Sequence, residues 1–268
     1  MTEYRADLNL NAPALAFQAK ALRVLERTTL ILNAIASTTE HTGMVPGVPM
    51  PSLPIQTERR PLEIVGPETA SWVVGCAVRD WLEDLSLYLV EVKRCCALLA
   101  AFPSPSETRI NDETFAALEA GALKFERSSF PDKLKSLERD FGDIVDDSKA
   151  LVLTLFKARN CIVHRLGVVS ELDCADAQHL TVRWKAAEMF ARNPNEPDAL
   201  ATSGILLQPG GELHVRSVDI ERRFAPGDRV VLNAADLCGI WWTLSHFNVG
   251  TAAKVCNFAA AKGFTLDA

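Results

Sequence analysis

The chain has 268 residues, 48% of them hydrophobic and 23% charged, with a formal net charge of −6. The apolar share excludes a disordered chain, and 14 Gly with 14 Pro exclude a collagenous or proline-driven one. The acidic balance argues against coating nucleic acid through bulk charge, so a nucleic-acid activity would have to reside in a local site.

No stretch reaches the roughly 18 uninterrupted apolar residues that a membrane-spanning helix needs, and no membrane association is expected. Residues 1–11 carry Glu3, Arg5 and Asp7 where a secretory signal needs a basic patch and an apolar run, so a cytoplasmic location is expected. The seven cysteines, Cys76, Cys95, Cys96, Cys161, Cys174, Cys238 and Cys256, are too sparse and scattered for a disulfide scaffold and read as small buried hydrophobes. No CxxC, HExxH, Walker loop, GxGxxG or GxSxG is present, and no metal or cofactor is expected.

In chain order, Leu15, Leu22, Leu25, Leu32 and Ile35 recur at helical spacing and predict an amphipathic helix over 11–38, with Asn11 as cap and Pro13 in the first turn. Between 43 and 67, prolines at 46, 49, 51, 54, 61 and 67 predict a long surface loop. A second helix over about 68–101 carries a stripe of Trp72, Cys76, Leu82, Leu85, Leu89, Val92, Cys96 and Leu99, with a bend expected near Gly75. Shorter helices follow at 112–127, capped by Asn111, and at 131–141, opened by Pro131. The next helix, 149–165, has Asp146 and Asp147 before it and Gly167 just past its end.

The pattern then changes to alternation. Short antiparallel strands are predicted at 180–184, 205–207, 213–220 and 230–232, separated by Pro209-Gly210-Gly211 and Pro226-Gly227-Asp228. A final helix spans 234–261, capped by Asn233, with Leu237, Ile240, Trp241, Leu244, Phe247 and Val255 inward. The expected class is α+β, mostly α: a helical bundle with a small antiparallel β excursion at about 180–232 before the last helix. The helices on either side of the excursion carry one-sided apolar stripes that need each other, so residues 1–268 read as a single domain.

The helix 149–165 holds the most informative side chains. Leu151, Leu155, Ala158 and Ile162 fall on one face. At 100° per residue, Asn160 and His164 stand about 40° apart on another side, with Lys157 about 20° from His164. Arg159 is about 140° from His164, so the two do not adjoin on one helix, whereas a second copy about a two-fold axis would bring the Arg and His sets together.

The run Arg159-Asn160-Cys161-Ile162-Val163-His164 resembles the R-x4-6-H motif of HEPN-domain proteins, in which a polar residue commonly follows the Arg. The match is strong over 156–167; the long upstream helix, the closing Gly167 and the helix near the chain end are also similar to the family's frame. The resemblance implies an HEPN-like helical bundle that forms a homodimer, with the motifs of both subunits lining one cleft. Catalytic members are metal-independent ribonucleases, often toxins or defence effectors held by an antitoxin or regulatory protein. In that role His164 would act as general base or acid on the ribose 2′-hydroxyl of RNA, and Arg159 would stabilise charge developing on the phosphate. Asn160 would orient one of them, Lys157 and Arg165 would contact substrate, and the product would be a 2′,3′-cyclic phosphate. Members controlled by modification of a tyrosine two residues past the His differ from this chain, which has Leu166 there.

The alternative is a catalytically silent HEPN-like dimer serving as an interaction or regulatory module. In that reading His164 and Arg165 favour the negative helix end, and Arg159 pairs with Glu83, Asp84 or Glu91 of the long helix. Asp173, Cys174, Asp176 and His179 match no standard zinc spacing and read as a solvated loop. Trp241, Trp242 and His246 read as core and interface residues. Arg216, Arg222, Arg223 and Arg229, interleaved with Glu212, Asp219, Glu221 and Asp228, read as solvated strand edges.

Overall fold

The computed structural model describes residues 9–39, 61–102, 111–174, 178–193, 199–200 and 210–264. Helix α1 spans Ala12–Ser37, α2 Leu62–Ala101, α3 Asp112–Glu126, α4 Phe130–Phe141 and α5 Lys149–Arg165. A single turn, α6 at Glu171–Cys174, leads into strands β1 (Leu180–Arg192), β2 (Ala199–Leu200) and β3 (Glu212–Phe224), and helix α7 spans Ala234–Ala261. The chain is thus mostly helical, with a small antiparallel sheet before its last helix.

Helix starts follow local chemistry. Asn111 accepts from the Thr114 N–H at 2.7 Å to cap α3, and Ser129 accepts from Asp132 to cap α4, which places the α4 start at Phe130 with Pro131 in the first turn. Asn233 and Asp236 form a reciprocal capping box at α7. Helix α2 begins six residues before the predicted Glu68 and contains Pro67. A proline this near a helix start forfeits one backbone bond, to the Glu63 carbonyl, and its fixed φ is helical, so the helix carries on through it. Prolines 46, 49, 51 and 54 lie outside the described residues.

The buried face of α1 differs from the leucine stripe. Ala14, Phe17, Ala21 and Thr28 are buried and Leu15 and Leu22 exposed, while Leu25 and Leu32 pack half-buried on the core as expected. Small residues admit close approach to α2: the Trp81 indole donates to the Ala21 carbonyl at 2.9 Å. On α2 the stripe from Leu82 to Leu99 is buried as expected, but Trp72 is 69% exposed. Gly75 marks a helix crossing, where a Cβ would lie 3.3 Å from Cγ2 of Ile162 on α5. Side chains from α1, α2, α4, α5, β1 and α7 join in one hydrophobic cluster with Trp81, Trp184 and Phe247 among its largest members.

The sheet has the order β2-β1-β3, with β1 and β3 paired over their full 13 residues from Leu180↔Phe224 to Arg192↔Glu212. Both strands are longer than the alternation predicted, since register continues through half-exposed positions beyond the buried Leu180, Val182 and Trp184. On the other edge of β1, which β2 pairs at Phe190 and Ala191, two threonines cover the stretch at Arg183 and Lys185. Thr154 on α5 accepts from Arg183 N–H at 2.8 Å, and Thr243 on α7 accepts from Lys185 N–H at 2.7 Å, each hydroxyl also approaching the same residue's carbonyl. These hydroxyls stand in for a neighbouring strand. Trp184 packs on Gly239, where a Cβ would lie 2.7 Å from its ring. Residues 230–232 are not a strand; Arg229 makes a single bridge to Val168, and Val230 N–H donates to Gly167 at 2.8 Å. The predicted strand 205–207 lies outside the described residues.

Candidate functional site

Helix α5 matches its predicted bounds. Its buried arc of Val152, Leu155, Ala158 and Cys161 is broader than the predicted core side, with Leu151 and Ile162 half-buried. Lys157, Asn160 and His164 form the opposite, exposed face. Lys157 and His164 make no hydrogen bond or ion pair with any described residue, and nothing in the core requires them.

Arg159 points the other way. Its guanidinium donates to Glu83 Oε1 on α2 at 2.6 Å and to Asn160 Oδ1 at 3.2 Å, and its side chain is 20% exposed. Asn160 therefore bridges the two faces, touching Arg159 on one side while standing beside the His164 row on the other. Of the predicted motif residues, the fold brings Arg159 and Asn160 together and leaves His164 apart, as the helical geometry demands. Glu83, one of three acids proposed as a partner, is the one engaged. It neutralises the cation that a phosphate would have to recruit.

Arg165 has a different environment from the exposed row. It pairs with Asp173, whose side chain is only 5% exposed and also accepts from the Ser170 N–H and hydroxyl, each at 2.8 Å. Burial would raise the Asp173 pKa, but the Ser170 bonds and the Arg165 charge outweigh it and hold the carboxyl below its ordinary value. The clamp ties the end of α5 to the turn that follows, a role that pattern reading missed because the partners are brought together only by the chain reversal at 166–167. Leu166 and Gly167 both have positive φ, 53° and 81°, and Gly167 N–H returns to the Cys161 carbonyl at 3.1 Å. The left-handed exit predicted at Gly167 thus begins one residue earlier, on a leucine that is 80% exposed.

Beside this exit lies a cleft of about 620 Å³ between α2, the end of α5 and residues 229–232. Trp72, Cys76, Ile162, Val163, Leu166, Val230 and Val231 line it, with Arg79, Arg229 and Glu68 as its charges. Trp72 is expected in the core and Arg229 on a strand edge; Trp72 instead lies off the face that carries Leu82 to Leu99, and the 229–230 clasp onto 167–168 places Arg229 at the cleft.

The remaining candidates resolve into structure. Among the described residues no group of three or more His, Cys, Asp or Glu is placed to hold a metal ion, and Asp176 lies outside them. Cys174 is buried and His179 exposed. Burial pushes the Cys95 and Cys96 thiols up to about 11 and about 12, which suits packing. Arg183 and Arg223 both bind Glu221, Arg216 binds Glu188, and Arg222 binds the capping Asp236 at 2.8 Å. Trp242 packs edge-on against His246 at 4.5 Å. No described helix is long and apolar enough to cross a membrane. Comparison of the chain with protein-family models, with curated proteins and with solved structures gives no match.

Proposed function

We propose that the chain is an HEPN-like, metal-independent endoribonuclease that acts as a homodimer, possessing the toxin or defence-effector chemistry its motif implies, with an antitoxin or regulatory protein as the partner class. The observation that carries this reading is the exposed row of Lys157, Asn160 and His164 on a helix whose other faces are packed. Such a row has no part in the core, and its residue types suit RNA: a cation for phosphate, an amide to orient it, and an imidazole to move a proton.

In this reading His164 of one subunit takes the proton from a 2′-hydroxyl, the freed oxygen attacks the adjacent phosphorus, and the P–O5′ bond breaks as the 5′-oxygen takes a proton from water, giving a 2′,3′-cyclic phosphate and a 5′-hydroxyl. Arg159, steadied by Asn160, would stabilise the added negative charge once substrate displaces Glu83. The planar guanidinium suits two phosphate oxygens, so Arg159→Lys would be a poor replacement. One observation favours the silent dimeric module: Arg159 is already neutralised by Glu83 at 2.6 Å, as a structural arginine would be.

Cleavage of RNA in the presence of a chelator tests the choice. The nuclease reading expects cyclic-phosphate ends, loss of cleavage in His164→Ala with unchanged thermal unfolding, and faster cleavage in Glu83→Gln. A dimer that cleaves no RNA in either form supports the silent module, and cleavage unchanged by His164→Ala overturns the mechanism.

A further inference from the structure

We infer that the cleft between the first half of α2, the end of α5 and residues 229–232 binds a small amphipathic anion, a monocarboxylate on an apolar body. The inference is independent of the ribonuclease reading. Its volume, about 620 Å³, falls within the range of cavities that enclose small ligands.

The lining defines the ligand's body. Ile162, Val163, Leu166, Val230 and Val231 supply aliphatic walls, and Trp72 supplies a flat one. Trp72 is 69% and Leu166 80% exposed, so two of the largest apolar groups at the site face solvent when they could have been buried or polar. Leu166 does so from a left-handed backbone that a bulky residue rarely adopts, and strain of this kind gathers at binding sites.

The charges define the head. Arg229 is exposed at the cleft and makes no side-chain hydrogen bond or ion pair among the described residues. Arg79 spends Nε and Nη2 on Asp80, at 2.9 and 2.7 Å, which leaves Nη1 of its fork for another acceptor. Glu68, the one carboxylate among the described lining residues, is itself partnered. Arg79 is matched by Asp80 and Glu68 is engaged, so Arg229 is the cation at the rim that no described carboxylate answers.

This complementarity selects among occupants. A neutral apolar body would leave Arg229 without a partner. A nucleobase would find, on the described walls, only the Ser71 hydroxyl, the Cys76 thiol and the Trp72 indole N–H as side-chain partners for its polar edges away from the rim. A carboxylate on an alkyl or aryl body satisfies both the walls and the rim, with a charge-assisted bond to Arg229.

Calorimetric titration of the full chain with decanoate and with decanol tests the inference. Decanoate is expected to bind one per chain, about tenfold or more tighter than decanol, the margin one charge-assisted hydrogen bond supplies. Arg229→Gln should remove that margin and leave decanol unaffected, while Val231→Trp, at a half-exposed position, should fill the cleft and abolish both. If Val231→Trp alters thermal unfolding, Trp72→Ala replaces it and should weaken both ligands. Equal binding of decanoate and decanol, no binding of decanoate, or binding untouched by Arg229→Gln would each overturn the proposal. So would sedimentation showing that the wild-type cleft is occupied by a second copy, released as monomer by Val231→Trp.

Discussion

The two ends of helix α5 solve the same problem in opposite ways. At its start, Asp146 accepts from Ser148 and donates its backbone N–H to Thr251 on α7, Lys149 pairs with Glu138 on α4, and Lys254 on α7 reaches Asp143 and Asp147 at 2.7 and 2.8 Å. Polar groups there are matched within the chain, and Gly250 lets α7 close on Asp146. At its end only Arg165 is matched; His164, Leu166 and Arg229 are exposed, and neither His164 nor Arg229 has a side-chain hydrogen bond or ion pair among the described residues. The contrast teaches where the molecule is self-contained and where it is prepared for something else. Both the proposed RNA site and the proposed anion cleft belong to the second end.

The clamp at that second end is where the largest effect is expected. Asp173→Ala would strip three hydrogen bonds from a buried carboxylate position and leave Arg165, whose Nε is already buried without a partner, uncompensated. A loss of about 2–4 kcal/mol in urea unfolding is expected. Because the Asp173 carboxyl is held below its ordinary pKa of 3.8, its contribution is present above that pH and is lost as pH falls through the lowered value. The gap between wild type and variant should therefore close in acid, and a gap that persists there would mean that packing, not charge, makes the clamp.

At the first end, Gly250→Ala would put a methyl 2.6 Å from Asp146 Cγ, forcing that side chain off Ser148. We expect a loss of about 1–3 kcal/mol by the same measurement, the usual cost of overpacking. A neutral result would show that the matched end has slack, and the comparison with the other end would weaken.

Why one end could be read from the sequence and the other only in part follows from how each is built. Local periodicity and capping chemistry place α5 and α7 at their bounds and identify Asn111 and Asn233 as caps, whereas at α1 the expected Asn11 makes no side-chain cap and Asn9 accepts from the Asn11 and Ala12 N–H groups instead. The exposed row of Lys157, Asn160 and His164 was equally readable, since it follows from 3.6 residues per turn. The choice of Glu83 among three acids needed the crossing of α2 and α5, and the Asp173 clamp needed the reversal at 166–167. The leucine stripe on α1 holds only in its second half, where Leu25 and Leu32 pack on the core; in the first half Ala21 is buried where Trp81 comes close and Leu15 and Leu22 are exposed, although hydrophobicity alone ranks leucine above alanine. Trp72 stands off the face that carries Leu82 to Leu99 and so lies on the cleft wall, where the stripe reading puts it in the core.

The backbone at the second end offers a gain rather than a loss. Leu166→Gly would relieve a left-handed conformation worth about 1 kcal/mol to a residue with a Cβ, partly offset by the greater entropy of an unfolded glycine. A net stabilisation of a few tenths to about 1 kcal/mol is expected by urea unfolding, together with weaker decanoate binding because one cleft wall is lost. A destabilised variant would mean that the exposed leucine packs on something in solution, and the second end would then be less open than its exposure implies.

The smallest expected effect tests how far matched surface charges matter at the first end. Lys254→Met removes an ammonium that contacts Asp143, Asp147 and the Val145 carbonyl, but Asp143 and Asp147 are themselves 81% and 93% exposed, so water screens the pairs. A loss of a few tenths to about 1 kcal/mol is expected. Hydrogen bonds from the ammonium to Asp143 and Asp147 raise the Lys254 pKa from 10.5 to about 12. A cation held above its unfolded value contributes fully below that value, so the gap between wild type and variant should be constant well below pH 10.5 and be lost as pH rises through about 12. Parallel urea titrations across that window cancel the other groups that ionise there. A gap that survives past pH 12 would assign the contribution to the apolar stem of Lys254 lying on the 143–147 turn, and the first end would then owe its order to packing more than to paired charge.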